Sequence, residues 1–240
     1  MATAAMDHGH GHGHAGAHAE GHGHPPTSTG LDHKKVAIWA FIGSECMLFA
    51  SLISTYMIYK GRSVVGPFPH QPCPAGPPPG CPVARPAILD IPVTSASTFV
   101  LLMSSLAMVL ALAAVEEKDK PVRAGAGAWE RALRSSKLWL LVTALLGLTF
   151  LGFQAFEFTA FVNEGLTIRT NLFGSTFFTL TGFHGAHVAG GVIWLLTLLS
   201  IDMKRGLRPR DAVNVDLCAL YWHFVDVVWI AIFTLVYLIQ

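Results

Sequence analysis

The sequence predicts an all-α integral membrane protein of five transmembrane helices, and three observations carry that prediction. Of its 240 residues 52% are hydrophobic and 13% are charged, about half the charged share of an ordinary soluble domain. Mean hydropathy is +0.49, and five apolar segments each reach the roughly 20 residues that cross a bilayer at about 1.5 Å per residue. Sixteen Lys and Arg against fifteen Asp and Glu give a net charge of +1, so the electrostatic footprint of a nucleic-acid module is missing. Four Cys are too few for a disulfide scaffold, and no CxxC pair suggests structural zinc.

Residues 1–30 hold seven of the twelve His, in MDHGHGHGHAGAHAEGHGH closed by Pro25 and Pro26. This stretch cannot bury a core and reads as a disordered cytoplasmic tail, with His8, His10, His12 and His14 giving adventitious metal affinity. The first thirty residues lack the apolar centre of a secretory signal, so the N-terminus reads as mature. The spans then fall at about 36–59, 93–115, 138–162, 172–201 and 217–239, within a five-span domain covering 31–240. Between the first two, the loop 60–92 is rich in Pro and Gly (GPFPHQPCPAGPPPGCP), which excludes regular structure. The remaining links are 116–137, 163–171 and 202–216.

Positive charge sets the orientation, because cytoplasmic loops retain Lys and Arg. One face carries Lys34, Lys35, Lys118, Lys120, Arg123, Arg131, Arg134, Lys137, Lys204, Arg205, Arg208 and Arg210. The other carries Lys60, Arg62, Arg85 and Arg169, which puts the N-terminus inside and Gln240 outside. Cys73 and Cys81 then lie in the external Pro-rich loop, either as a disulfide staple or as two unpaired thiols. Cys46 and Cys218 read as small buried hydrophobes within spans.

Ionisable groups inside spans cost about 2.5–3.5 kcal/mol each at the centre on insertion scales, so each marks a functional position by default. Here they are Glu45, Glu157, His184, His187, His223 and Asp226. Counting helix rise puts Glu45 and Asp226 roughly 14 Å from the inner ends, with His184 near the same midplane and His187 close to the level of His223. The i,i+3 pairs His184/His187 and His223/Asp226 each form one stripe directed into the bundle. Glu157 comes out near the outer interface, where a carboxylate reaches water. Three readings stand together: a haem or copper site, for which the ligands are few; a proton relay or antenna; and interhelical hydrogen bonding that only fixes packing. Lipid headgroups at the basic inner links are a further role, with Trp39, His187, Lys204 and Arg205 as candidates.

The strings themselves carry a resemblance. YWHFVDVVWIAIFTLVYL (221–238) and STFFTLTGFHGAHVAGGVIWL (175–195) resemble the last two spans of subunit III of haem-copper terminal oxidases. IGSECMLFASLISTY (42–56) resembles the family's helix with a buried acid, Glu45 here, and GFQAFEF (152–158) the helix bearing its second characteristic carboxylate, Glu157 here. The likeness runs over about 33–240 but is not carried by the His-rich tail, the Pro-rich loop or the Cys pair. It implies a five-helix bacterial-type subunit, a bundle split by a V-shaped lipid-filled cleft and docked on the catalytic subunit I, in the bacterial plasma (inner) membrane. It also implies no cofactor in this chain, with haem and copper held by partner subunits and phospholipid bound. Subunit II, a small subunit IV and a respiratory supercomplex are the wider partners implied. The roles implied are stabilisation of the catalytic subunit, help with proton uptake and retention of lipid. Glu45 matches the family's carbodiimide-reactive carboxylate and leans toward the cytochrome c branch over the quinol branch. A stand-alone ion transporter, with the tail collecting ions for a His184/His187/His223 layer, is the contrasting reading; the internal repeats and broken helices expected of one are not evident.

Overall fold

In the computed structural model the described residues are 32–60, 62–63, 89, 91–121 and 127–239. The His-rich tail, the Cys73/Cys81 pair and nearly all of the Pro-rich loop lie outside them. The helices are α1 (His33–Tyr59), α2 (Ile91–Glu116), a short α3 (Ala128–Leu133), α4 (Ser136–Asn163), α5 (Leu172–Arg205) and α6 (Ala212–Phe233). All five long helices are long and apolar enough to cross a membrane, and no strand occurs among the described residues. The fold is all-helical with five spans, as the hydropathy predicts.

Short polar side chains start these helices by accepting a first-turn N–H that has no partner within the helix. Asp32 accepts from Lys34 N at 2.8 Å, Ser135 from Leu138 N at 3.4 Å and Asn171 from Gly174 N at 2.7 Å. The two largest departures from the hydropathy reading are at the boundaries it sets at 201, the end of the fourth span, and at 217, the start of the fifth. The α5 helix continues to Arg205 because Asp202 is a buried anchor rather than the start of a solvated link, and Gly206, at φ 73°, then turns the chain. A single 3₁₀ turn, Pro209–Asp211, leads into α6, with the Asp211 carboxylate accepting from Arg208 N at 3.2 Å. At its far end α6 passes into a π turn, Thr234–Leu238, closed by Ile239 N donating to Thr234 O at 2.9 Å.

The centre of the fold is α6. Packed helix pairs run α2–α4, α4–α5 and α5–α1, and α2, α5 and α1 each pack on α6 as well. The Trp222 indole fits between two glycines: a Cβ at Gly147 or at Gly191 would come within 2.7 Å of its ring. Small residues here allow the close helix approach on which association in lipid depends. Along α2, hydroxyls meet α6 turn by turn: Ser104 Oγ accepts from Trp222 Nε1 and Thr98 Oγ1 from Trp229 Nε1, both at 2.9 Å, and Ser105 Oγ bonds His223 Nδ1 at 2.7 Å. These pairings satisfy polar groups that hydrocarbon cannot.

Candidate functional site

The intramembrane polar residues resolve into separate clusters on different helix seams. The first lies between α1 and α5, where His187 Nε2 sits 3.1 Å from Glu45 Oε2, with each side chain 16% exposed. The other ring nitrogen, Nδ1, is 2.7 Å from the Phe183 carbonyl oxygen. A carbonyl only accepts, so Nδ1 carries a hydrogen and the tautomer follows. Nε2 and the Glu45 carboxyl are then left to share one further proton. It sits on the ring, giving imidazolium and carboxylate, or on the acid, giving O–H donated to a neutral imidazole. The surroundings hold the pair in place: Phe49 packs edge-on against the His187 ring at 5.0 Å between centroids, and Tyr221 Oη donates to the His187 carbonyl at 2.9 Å.

The second cluster surrounds His184, fully buried at the core. Its ring stacks on Trp229 at 4.9 Å and meets Phe150 edge-on at 5.8 Å, and neither ring nitrogen has a hydrogen-bond partner among the described residues. Gln154, one turn beyond Phe150 on α4, donates from Nε2 to Thr181 O at 2.7 Å. The third cluster lies between α2 and α6, where Asp226 is buried beside Ser105, the residue bonded to His223. Equal depth therefore did not make one layer. Helix rotation assigns His187 to the α1/α5 seam, His184 to the centre and His223 with Asp226 to the α2/α6 seam. Of the groups expected to meet, Glu45 and His187 do so directly.

Glu157 differs from its sequence-based placement. It is 6% exposed and is hydrogen-bonded by the Thr94 hydroxyl of α2, with Tyr237 of the π turn in contact with both. Depth along α4 is what the count gives, but the carboxyl faces the neighbouring helices and not water. The headgroup candidates are dispersed. Trp39 is 66% exposed on α1, Lys204 is exposed, and Arg205 pairs with Asp211 at 3.3 Å. His187 lies seventeen residues, roughly 25 Å, along α5 from Lys204, so one headgroup cannot engage both.

The sequence reading missed a polar cluster at the opposite, basic end of the bundle. Asp202, fully buried, accepts from Ser136 Oγ at 2.5 Å, Leu207 N at 2.8 Å and Lys118 Nζ at 3.3 Å, tying α2, α4 and α5 together. Lys35 pairs with Asp216 at 2.8 Å, and Lys34 donates to Asn214 Oδ1 at 3.3 Å, fastening α1 to α6. The available signal was an acid inside the SIDMKRG string; taking it as loop polarity hid its role. At the other end Lys60 donates to the carbonyls of Leu235 and Ile239, and burial holds its ammonium pKa below the usual lysine value.

Among the described residues no three His, Cys, Asp or Glu side chains gather as a metal-binding group. His184 stands among aromatic rings, His187 is engaged with Glu45, and His223 with Ser105.

The chain matches a family model described as cytochrome c oxidase subunit III over residues 15–240, further than the motifs alone reach. It is 37% identical over 206 residues to cytochrome c oxidase subunit 3 of Bacillus sp. (strain PS3), covering 86% of each chain. It is 37% identical over 207 residues to the cytochrome c oxidase subunit 3 of Bacillus subtilis (strain 168), again 86% of each. Quinol oxidase subunit 3 of the same Bacillus subtilis strain is 34% identical over 203 residues, 85% of each. With its five apolar spans, this multi-pass bacterial membrane protein belongs to the cytochrome c oxidase subunit III family.

Proposed function

We propose that the chain is the non-redox subunit III of a proton-pumping cytochrome c oxidase in the bacterial plasma membrane. In this reading it docks on the haem- and copper-bearing subunit I, with subunit II and a small subunit IV in the same complex. Its N-terminus is inside and Gln240 outside, following the excess of Lys and Arg at the end where Lys35 meets Asp216 and Lys118 meets Asp202. Its work is to stabilise the catalytic subunit, to help proton uptake and to retain phospholipid beside the α1 arm.

The observation that carries the proton role is the pair Glu45–His187 at 3.1 Å with its fixed tautomer. Uptake of one proton from outside the pair converts neutral His187 beside the Glu45 carboxylate into the pair that holds it on Nε2 or Oε2, and release to an outside acceptor reverses the step with the heavy atoms in place. The pair's partial exposure at the α1/α5 seam leaves it open to exchange with a neighbouring subunit or water. In this reading electron transfer belongs to the partner subunits, while His187 is engaged with Glu45 and His223 with Ser105. The polar clusters away from Glu45 serve packing, which is the third reading the sequence allowed.

A quinol-oxidizing complex is the second reading, favoured by the nearly equal identity to quinol oxidase subunit 3. Purification of the native complex through this chain in mild detergent, followed by assays with reduced cytochrome c and with quinol, separates the two. Copurifying haem and cytochrome c oxidation are expected. Oxidation of quinol alone moves the chain to the sister branch, and a chain that purifies alone without haem overturns the oxidase reading.

A further inference from the structure

We infer that one buried water molecule bridges α4 and α5 at the core, donating one hydrogen to a ring nitrogen of His184 and the other to Gln154 Oε1. The inference goes beyond the oxidase-subunit reading and does not depend on it.

His184 is fully buried and Gln154 is 8% exposed, and both engage one turn of α5. Gln154 Nε2 donates to the Thr181 carbonyl at 2.7 Å, and Thr181 lies three residues before His184 on the same face of that helix. A Cβ at Gly185, the residue after His184, would stand 2.7 Å from Gln154 Oε1, so the amide lies against bare backbone there. A helical side chain leans toward the preceding turn, which carries the His184 imidazole toward Thr181 and the amide. Phe49, Phe150 and Trp229 pack around the ring.

What these groups lack is a donor. A carbonyl oxygen only accepts, so the bond to Thr181 fixes which end of the Gln154 amide is nitrogen and leaves Oε1 as an acceptor. Oε1 and both His184 ring nitrogens have no hydrogen-bond partner among the described residues. With no acid bonded to it the ring is neutral, carrying one N–H and one lone pair. The aromatic walls can take the N–H as a weak π contact, but they offer nothing to the lone pair. Two buried acceptors at one turn therefore call for a molecule that donates twice. An unpaired buried polar group is costly, and water is what native cores place beside such groups. A metal cation suits the site poorly, because two uncharged ligands among three aromatic rings would leave it an uncompensated buried charge.

The test is a density map of the full chain in its native complex, in lipid nanodiscs, at a resolution where other buried waters of the complex are seen. A peak about 2.7–3.2 Å from both a His184 ring nitrogen and Gln154 Oε1 is expected. His184→Phe and Gln154→Leu each remove one of the two acceptors and should each abolish that peak. No peak in the wild type, a peak bonded to one of the two groups only, or a direct His184–Gln154 bond overturns the inference. So does a peak about 2.0–2.1 Å from the ring nitrogen, the distance of a bound metal. A peak retained in either variant overturns it as well, and if neither variant assembles the wild-type map decides alone. The peak is read within this chain, so a complex without haem overturns the oxidase reading and leaves the water in place.

Discussion

The first and last spans are alike in length and apolar character, yet they occupy opposite places in the molecule. In α1, two of 27 residues, Phe49 and Tyr56, are buried, and Trp39 and Met47 are largely exposed. In α6, eleven of 22 residues are buried, Trp222 and Trp229 among them. Hydropathy therefore identifies a span without saying whether it faces lipid or helix. The difference lies in side-chain shape and hydrogen bonding: α6 inserts two indoles that each find a hydroxyl on α2, Trp222 also seated between two glycines, whereas α1 lies on the bundle and is fastened by Lys35–Asp216 and by Glu45 and Phe49 against His187. On this account α6 is the structural post and α1 the working arm.

The contrast breaks most readily at Trp222. Trp222→Ala empties the space between Gly147 and Gly191 and removes the indole N–H that Ser104 accepts, which should cost about 3–5 kcal/mol and remove the subunit from the purified complex, scored by subunit stoichiometry. Trp39→Ala on α1 removes an equally large ring from a lipid-exposed position and should change stability by less than about 0.5 kcal/mol. A comparable loss for both would abolish the distinction between post and arm. Asp202→Ala should cost about 1–3 kcal/mol, because it leaves the Ser136 hydroxyl and Leu207 N without their acceptor while the partly exposed Lys118 reaches solvent; Asp202→Asn should recover part of this through the Leu207 bond, compared by thermal retention of the subunit in detergent. Gly191→Ala pushes a methyl into the Trp222 ring and should cost about 1–3 kcal/mol, seen as a lowered dissociation temperature.

The sequence made the architecture legible because each span repeats the same bulk signal, long apolar runs between polar links. It made the carboxylates and imidazoles legible as well, since each is costly in hydrocarbon and stands out. Rotation was the illegible part. His184, His187 and His223 count to neighbouring depths, but a few tens of degrees separate a ring that meets Glu45 from one stacked on Trp229 and one bonded to Ser105. Glu157 shows the same limit: its height is right, and its direction, toward Thr94, is not in the count. Asp202 was hidden for another reason, since an acid beside Lys and Arg resembles an ordinary solvated turn until its three donors are seen.

The smallest structural effect and the most telling functional one meet at Glu45. Glu45→Gln keeps the side chain's shape and removes the shared proton, so it should leave haem content and subunit stoichiometry unchanged, a partly exposed pair contributing about 1 kcal/mol or less. The decisive measurement is the lifetime and pH profile of turnover in the purified Glu45→Gln complex. A fully assembled oxidase that inactivates sooner or takes up protons more slowly is predicted. Wild-type lifetime with an unchanged pH profile would contradict the account and leave the Glu45–His187 pair as a packing contact.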